Sequence, residues 1–360
     1  MKNAQLAEWI ERKKCMNTSV KKIISVLSLL FGGLLAVLAL YMDFSGSENA
    51  NRGNLLIVGV LLLLFGLYVL PTKRHRMIIN ILFLFPLVFS FVITVLLPFF
   101  SGVFYSMTDW NGVRYTQFIG LGNYIDMFKG QGFTYSFVIT FLFTLINMIL
   151  VNAAGFALAL LCTSNVRGKN FFRASFFLPN LIGGIVLGYV WQFIFNKVLV
   201  MLTNSNSMLS NANLAFVAIL IVSTWQYAGY IMMTYVTGLQ TVPREVVEAS
   251  MIDGANYWTT LTKIKMPMIW NTFTVCIFLT LVNSFKQFDL NFALTNGAPS
   301  RIIGDKMYAG TEFLALSIYS TAISKNNYSL GQAKAVVFFV ILAIVSLTQV
   351  AISKKKEVEV

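Results

Sequence analysis

The chain has 360 residues, of which 57% are hydrophobic and only 11% are charged, and its mean hydropathy is +0.72. A soluble domain carries about 25% charged residues, so this composition excludes an ordinary soluble fold and indicates a protein that crosses a membrane several times. The net charge of +13 comes mainly from Lys and Arg in the predicted loops and termini, as shown below. It therefore does not indicate nucleic-acid binding. Cys15, Cys162 and Cys276 show no paired spacing, so we predict no disulfide and no metal site.

Apolar segments long enough to cross a bilayer recur along the chain, since a spanning helix needs about 20 apolar residues. They predict eight spans, at 22–43, 54–71, 77–106, 134–163, 174–196, 213–238, 268–291 and 329–353. The second is short, and the third contains Pro86 and Pro98, which predict a kink. The predicted fold class is therefore an all-α integral membrane protein with about eight transmembrane helices.

Lysine and arginine are distributed unevenly between the two sides of this arrangement. With the N-terminus inside, the inner segments and the first membrane edge carry 18 of these residues, and the outer segments carry 7. Cytoplasmic loops are enriched in Lys and Arg. Both termini, and the loop 239–267, are therefore predicted to lie in the cytoplasm.

The loop from Pro243 to Pro267 is longer than a connection between spanning helices requires. Such connections usually take about 2–8 residues, and this one takes 25. Glu245 and Glu248 complement the positive N-terminus of a helix that begins after Pro243. Gly254 predicts a break before a second short helix, which Pro267 ends, and is expected to let the two helices pack closely. A structured cytoplasmic hairpin of this size predicts a docking surface.

The hairpin contains Glu248-Ala249-Ser250, then Asp253-Gly254-Ala255, then Pro267, and so resembles the EAA loop of ATP-binding-cassette (ABC) importer permeases. The family often has Ala where Ser250 stands. Other stretches, in the same order, are similar to the carbohydrate-importing, maltose-type branch. They are Phe118-Ile119-Gly120-Leu121-Gly122-Asn123-Tyr124, Phe172-Arg173-Ala174-Ser175-Phe176-Phe177-Leu178-Pro179-Asn180, Phe288-Asp289 and Leu294-Thr295-Asn296-Gly297-Ala298-Pro299.

This resemblance covers roughly residues 77–353 and divides the chain into three parts. Residues 1–76 form an N-terminal cytoplasmic segment and a two-helix addition, for which bundle packing or membrane insertion is the simplest role. Residues 77–353 form the permease transmembrane domain, with six of the predicted spans and the cytoplasmic coupling loop 243–267. Residues 354–360 form a basic cytoplasmic tail.

The resemblance implies a permease subunit that forms half of the translocation pathway of an ATP-driven carbohydrate importer, with an oligosaccharide as substrate, in the bacterial plasma membrane. It implies a heterodimer with a second permease subunit, two cytoplasmic ABC ATPase subunits, an extracellular solute-binding protein and contact with membrane lipid. The chain has no Gly-x-x-x-x-Gly-Lys-Ser/Thr motif. We therefore predict no enzyme activity and no cofactor for this chain, and expect ATP and Mg²⁺ on the partner ATPase.

The hairpin is interpreted as a helix that couples this chain to the ATPase. The residues implied are Glu245, Glu248, Ala249, Ser250, Asp253, Gly254 and Pro267. The alternative is an amphipathic hairpin that rests on lipid headgroups. Headgroup binding favours Lys and Arg on the polar face, whereas the first helix carries two Glu and one Asp against one Arg, which favours coupling.

Two polar stripes within the spans predict the substrate pathway. One comprises Ser223, Gln226, Tyr227 and Tyr230, and the other comprises Thr280, Asn283, Ser284 and Gln287, each set at i, i+3, i+4 and i+7 of a helix. Neutral hydrogen-bonding groups and tyrosine rings suit the hydroxyl edges and C–H faces of a sugar. In a maltose-type permease these positions line the transport cavity. The alternative is that they form hydrogen bonds between helices.

Lys286 and Asp289 lie three residues apart near the predicted outer end of the seventh span. They are predicted to pair with each other, or alternatively to contact an extracellular donor protein.

Two other functions stay open at this stage. The first is an ABC importer for a non-sugar solute such as glycerol phosphate or a peptide, although a phosphorylated substrate would require cations in the stripes. The second is a carrier driven by an ion gradient, which usually needs carboxylates within the membrane. An integral membrane enzyme is more remote, because the only histidine, His75, lies outside the spans.

Overall fold

The computed structural model describes residues 2–45, 52–69, 75–130, 132–164 and 167–354. Its contacts divide the chain into two compact units, Met1–Phe99 and Phe100–Val360, and each is described by itself. The domain boundary predicted after residue 76 rests on the family resemblance and stays a prediction. Of the predicted tail 354–360, only Lys354 lies within the described residues.

The first unit is helical throughout its described residues. It contains α1 (Lys2–Phe44), α2 (Arg52–Val69), α3 (His75–Phe91), a π-helical turn (Val92–Leu96) and the start of α4 (Leu97–Tyr105). The kink predicted at Pro86 and Pro98 stays a prediction, but a wider turn does precede Pro98. Since a proline has no N–H to donate, the wider turn forms one residue earlier, where the N–H of Leu97 donates to the carbonyl of Val92.

Helices α1 and α2 pack closely through small residues. The hydroxyl of Ser25 donates to the carbonyl of Gly66 at 2.6 Å. A Cβ atom on Gly32 would lie 2.8 Å from the carbonyl oxygen of Gly59, so only glycine permits this approach. The two predicted N-terminal spans therefore form a tight helical pair.

The second unit contains the remaining helices and one β-hairpin. Its elements are α5 (Gly122–Lys129), α6 (Gly132–Thr163), α7 (Lys169–Leu181), α8 (Gly184–Phe193), a π turn (Ile194–Val198), α9 (Leu199–Thr203), a 3₁₀ turn (Met208–Ser210), α10 (Ala212–Gln240), α11 (Arg244–Ile252), α12 (Tyr257–Thr260), a π turn (Leu261–Lys265), α13 (Met266–Met268), α14 (Trp270–Phe285), α15 (Asp289–Leu294), β1 (Ser300–Ile303), β2 (Lys306–Ala309), α16 (Leu314–Tyr319), a π turn (Ser320–Ser324) and α17 (Tyr328–Lys354).

Six helices among the described residues are long and apolar enough to cross a membrane. They are Val20–Met42, Phe83–Tyr105, Gly132–Thr163, Gly184–Thr203, Ala212–Gln240 and Tyr328–Ser353. The helices Tyr257–Met268 and Trp270–Phe285 meet at an angle of 73°. They give a seventh span if this bent pair counts as one span. The predicted second span corresponds to the shorter apolar helix Gly53–Val69. The all-α membrane fold is confirmed, and the count of eight stays a prediction.

The predicted fifth span, 174–196, is wrong in its first half. Helix α7 ends at Leu181, Ile182 is extended, and the apolar helix begins only at Gly184. Helix α7 packs against α10 at Gly229, where the backbone carbonyl of Phe176 fills the space that a Cβ atom would need. Residues 174–181 therefore belong to a separate helix that crosses α10 closely.

The predicted seventh span, 268–291, is also broken. Helix α14 ends at Phe285, and the chain leaves helical geometry before α15 begins at Asp289. At the other end, the chain bends at Ile269, two residues after Pro267. Only the 16 residues of α14 form a continuous helix within this predicted span.

The core of the second unit lies between α6, α10 and α14. One cluster contains Phe143 of α6 with Ile219 of α10 and Phe313, and another contains Val151 of α6 with Tyr235 of α10, all of them buried. The aromatic side chain of Phe143 lies with its ring centre 4.6 Å from that of Phe313. This core fixes the helices that carry both predicted polar stripes.

The elements that follow α15 are held by buried polar contacts. Asn291 donates to the carbonyl of Thr311 at 2.8 Å, and the Thr311 hydroxyl donates to that of Thr295 at 2.8 Å. Nearby, the buried ammonium group of Lys334 donates to Ser317 at 3.0 Å and to Thr321 at 2.7 Å. These bonds join the β-hairpin and α16 to the membrane helices.

Candidate functional site

The predicted hairpin forms two short helices joined by a tight turn. At the end of α11, the N–H of Ala255 donates to the carbonyl of Ser250 at 2.9 Å, and the N–H of Gly254 donates to that of Met251 at 3.1 Å. Gly254 has φ of +77°, which completes a Schellman motif. The carboxamide of Asn256 then accepts the N–H of Thr259 and begins α12. The chain therefore forms this turn from its own local contacts.

The structural role of glycine at position 254 differs in part from the prediction. The break is confirmed, because L-residues with a Cβ atom rarely adopt this left-handed conformation. Close packing of the two helices against Gly254, which we also expected, is wrong, because a Cβ atom there would meet nothing within 4 Å. The helices pack instead through Ser250 and Thr260, whose buried hydroxyls lie 3.2 Å apart.

The outer surface of the hairpin is apolar with an acidic border. Large apolar side chains are exposed on both helices, and Ile252 and Trp258 retain 88% and 68% of their accessible area. The exposed set is Val246, Met251, Ile252, Tyr257 and Trp258. Glu245, Glu248, Ala249 and Asp253 are exposed beside them. Exposed apolar side chains accompanied by charged ones are typical of a protein interaction site.

The predicted stripe on α14 is largely bound to α6. The amide of Asn147 donates to Ser284 at 2.8 Å, and the amide of Asn152 donates to Thr280 at 2.8 Å. Asn283 is half-buried. Thr280 and Ser284 thus form hydrogen bonds between helices, as the alternative interpretation of this stripe predicted. Their role in a substrate pathway stays a prediction.

Gln287 does not share the α14 face. The prediction placed it two turns after Thr280 on one helix, but α14 ends at Phe285 and Gln287 lies in the link to α15. It is buried, and its backbone N–H donates to the carbonyl of Ser284 at 3.2 Å. The predicted face of α14 is therefore one turn shorter than expected.

The stripe on α10 turns toward α7 and the start of α8. Gln226 donates to the carbonyl of Ile182 at 3.3 Å, at the break between those helices. Ser223 is buried, and its hydroxyl has no partner among the described residues. No hydrogen bond between described side chains joins this stripe to the one on α14.

Tyr230 lines a cavity of about 620 Å³ between α7, α10 and α14. Thr234 and Asn271 line it as well, and most of its surface is apolar. It is the one member of the two stripes that reaches this cavity. Tyr227 is half-buried on the same side of α10.

Sequence analysis missed a third polar stripe, on α6. Ser136, Thr140, Thr144 and Asn147 are all buried and lie at i, i+4, i+8 and i+11, and Asn152 follows on the same helix. The hydroxyl of Tyr235 donates to Asn152 at 2.8 Å. Helix α6 therefore links α10 to α14 through its asparagines. The helical spacing of these residues within an apolar run was the signal available in the sequence.

Lys286 and Asp289 do not pair. Both side chains are exposed, and no ion pair joins them among the described residues. The helix break at 286–288 separates them, and the Cβ atom of Asp289 lies against Gly184 of α8 instead.

A family model described as "Binding-protein-dependent transport system inner membrane component" matches residues 152–358, which include the hairpin and both predicted stripes. The chain belongs to this family. It is therefore an inner-membrane permease subunit. The resemblance stated from the sequence motifs is confirmed.

Two relatives and a solved structure agree with this assignment. The permease is 40% identical over 284 residues to the "Probable starch degradation products transport system permease protein AmyD" of Thermoanaerobacterium thermosulfurigenes, covering 77% of this chain and 94% of that one. It is 32% identical over 269 residues to the "Multiple sugar-binding transport system permease protein MsmF" of Streptococcus mutans, covering 72% and 90%. A crystal structure of a bacterial alginate ABC transporter, in complex with a pentasaccharide-bound periplasmic protein, has a TM-score of 0.66 at 17% identity, covering 79% and 96%, and shows the fold.

The permease motifs that carried the resemblance have identifiable structural roles. Asn123 is buried, and its amide donates to the carbonyls of Ser106 at 2.8 Å and Thr108 at 2.9 Å, which fixes the loop before α5. Arg173 donates to the carbonyl of Cys162 at 3.0 Å and holds α7 against the end of α6. These residues position the helices around the predicted site.

Proposed function

We propose that this permease forms half of the translocation pathway of an ATP-driven importer of carbohydrate, with an oligosaccharide as the substrate. Relatives at 40% and 32% identity carry names that refer to starch degradation products and to multiple sugars. None of the eight residues in the two predicted stripes is charged, as suits a neutral substrate rather than a phosphorylated one.

The hairpin of α11–α13 is the part through which a separate ATPase moves the permease. The observation that carries this proposal is a preformed turn with exposed apolar and acidic side chains, among which Glu245 and Glu248 have no hydrogen bond or ion pair within the described residues. Glu245 and Glu248 lie one turn apart on α11, where they can pair with Arg or Lys of a partner. The cleft of an ATPase subunit would bury Ile252 and Trp258.

The assembly consists of this chain, a second permease subunit, two cytoplasmic ATPases and an extracellular solute-binding protein. ATP and Mg²⁺ bind to the ATPases, and this chain binds neither. Both termini and the hairpin lie in the cytoplasm, in agreement with the excess of Lys and Arg on that side. A solute-binding partner is supported by the alginate transporter of similar fold, which was crystallised in complex with a periplasmic protein.

Closure of the ATPase dimer moves the hairpin, and the helices then change the side to which the pathway opens. The bend at Ile269 connects the hairpin to α14, so movement of α13 is transmitted to the helix that carries Thr280, Asn283 and Ser284. The hydroxyl of Ser223 is fully buried and has no partner among the described residues, so a sugar can form a hydrogen bond with it only after these helices move.

Gly254→Val tests this function, with Gly254→Asn as the matched control. Valine resists φ of +77° because of its branched Cβ, whereas asparagine tolerates the left-handed region. The purified complex should lose most of its sugar-stimulated ATPase activity and uptake with valine and keep both with asparagine. Glu248→Lys, which reverses one acidic border charge, should also uncouple hydrolysis from uptake.

The same complex should be assayed with maltooligosaccharides and with glycerol phosphate. Stimulation of ATP hydrolysis by the sugars alone is the expected result. Stimulation by glycerol phosphate alone would contradict the proposed substrate, and normal coupled uptake by both Gly254→Val and Glu248→Lys would contradict the role of the hairpin.

A further inference from the structure

A cleft on the hairpin side of the second unit is lined by four cations and a single carboxylate. Its volume is about 560 Å³, and the charged residues on its wall are Lys169, Arg173, Arg244, Lys265 and Glu248. No ion pair joins Glu248 to any of these cations among the described residues. The cations therefore remain available to an anion from outside the chain.

The cleft lies where two membrane spans end. Thr163, the last residue of α6, and Gln240, the last residue of α10, both line it. The helix ends place it at the height of the lipid headgroups. Beside it on α7, Phe171 and Phe172 expose 72% and 42% of their surface. Exposed phenylalanine rings beside Lys and Arg are typical of helices that lie in a membrane interface.

Arg173 adds a second observation. One end of its guanidinium donates to the carbonyl of Cys162, but its Nε–H group is buried and has no partner among the described residues. A buried guanidinium N–H without an acceptor is costly. Arg173 also lines the cleft, where a phosphate group would supply acceptor oxygens to the part of the guanidinium that faces it, and a shift of the side chain would bring the Nε–H group to the same oxygens.

We propose that this cleft binds the headgroup of an anionic phospholipid, with the phosphate between Lys169, Arg173 and Lys265. Basic pockets between membrane helices on the cytoplasmic side favour such headgroups. Because Arg244 and Glu248 of α11 form part of the same wall, a bound lipid would contact both the membrane helices and the hairpin. This inference does not depend on which solute the permease transports.

The test is native mass spectrometry of the complex purified through this chain and supplied with phosphatidylglycerol. Lys169→Gln with Lys265→Gln removes two cleft cations. Lys129→Gln with Lys197→Gln, at exposed positions that do not line the cleft, is the matched control. At about 1 kcal/mol for each cation removed, affinity for phosphatidylglycerol should fall roughly 30-fold in the cleft variant and stay unchanged in the control.

Three results would overturn the proposal. The first is an affinity for phosphatidylglycerol that falls equally in both double variants, or that falls in neither. The second is displacement of phosphatidylglycerol by inorganic phosphate at low millimolar concentration, which would assign the cleft to a soluble anion. The third is a cleft variant that assembles poorly with its ATPase while its lipid binding is unchanged, which would assign the cleft to an acidic segment of that partner.

Discussion

The polar residues of the membrane helices and those on the surface of the hairpin are arranged in opposite ways. Within the membrane helices, Asn147 and Asn152 of α6 form hydrogen bonds with residues of α10 and α14, and these contacts are buried or partly buried. On the hairpin, Glu245 and Glu248 are exposed beside apolar side chains and have no described partner. Internal pairing identifies groups that stabilise the fold, whereas a preformed surface without partners identifies a site for another protein.

The largest expected effect concerns the packing of the interior. In Gly229→Ala the new methyl group would overlap the backbone carbonyl of Phe176, which cannot move away as a side chain can. We expect a loss of stability of about 3 kcal/mol, measured as a fall in melting temperature of the purified complex. Gly183→Ala is the control, because a Cβ atom there meets nothing within 4 Å. Equal melting temperatures for the two variants would contradict the tight crossing of α7 and α10.

A smaller effect is expected from the polar contacts of α6. Asn152→Ala would leave Tyr235 and Thr280 without their partner on α6, at a cost of about 1–3 kcal/mol. Asn283→Ala, on a residue with no described side-chain hydrogen bond, should change the melting temperature less. If Asn283→Ala destabilised more than Asn152→Ala, the assignment of Asn152 as the structural group would be wrong.

The smallest effect is a pH dependence of the loop before α5. The backbone N–H groups of Gln117 and Thr116 donate to the carboxylate of Asp109 at 2.9 and 2.7 Å and hold its pKa below the ordinary value of 3.8. Because the folded pKa is lowered, this contribution is present above pH 3.8 and is lost as the pH falls through the folded pKa. Hydrogen exchange at the amides of Thr116 and Gln117 should accelerate at that acidic pH. A rate that varies with pH only as in an unfolded peptide would show that the contacts do not form.

The hairpin could be predicted in detail because its structure is local. Gly254, the Glu residues and Pro267 specify two short helices and a turn within 25 residues, and the turn forms by contacts of neighbouring residues. The break at Ile182 was missed although Pro179-Asn180 and Gly183-Gly184 stand on either side of it in the sequence. The close contact between Gly229 and Phe176 could not be predicted in the same way, because it joins residues far apart in the sequence.

The predicted stripes show the same limit. Helical spacing correctly placed Thr280 and Ser284 on one face, but periodicity does not say what that face meets. Their partners on α6 are 128 and 137 residues away. No Gly or Pro marks the end of α14 at Phe285, which removes Gln287 from the face, and the following helix α15 packs against Gly184 and Gly188 of α8.

We propose that the hairpin is the contact through which a separate ATPase drives this permease. A cysteine placed at Ala249, in a Cys15→Ser background, tests this contact by cross-linking within intact cells. We expect a covalent adduct with an ATP-hydrolysing subunit, formed to a different extent with and without ATP. Labelling of that cysteine by a reagent that cannot cross the membrane, with no adduct to an ATPase, would show that the hairpin is not this contact.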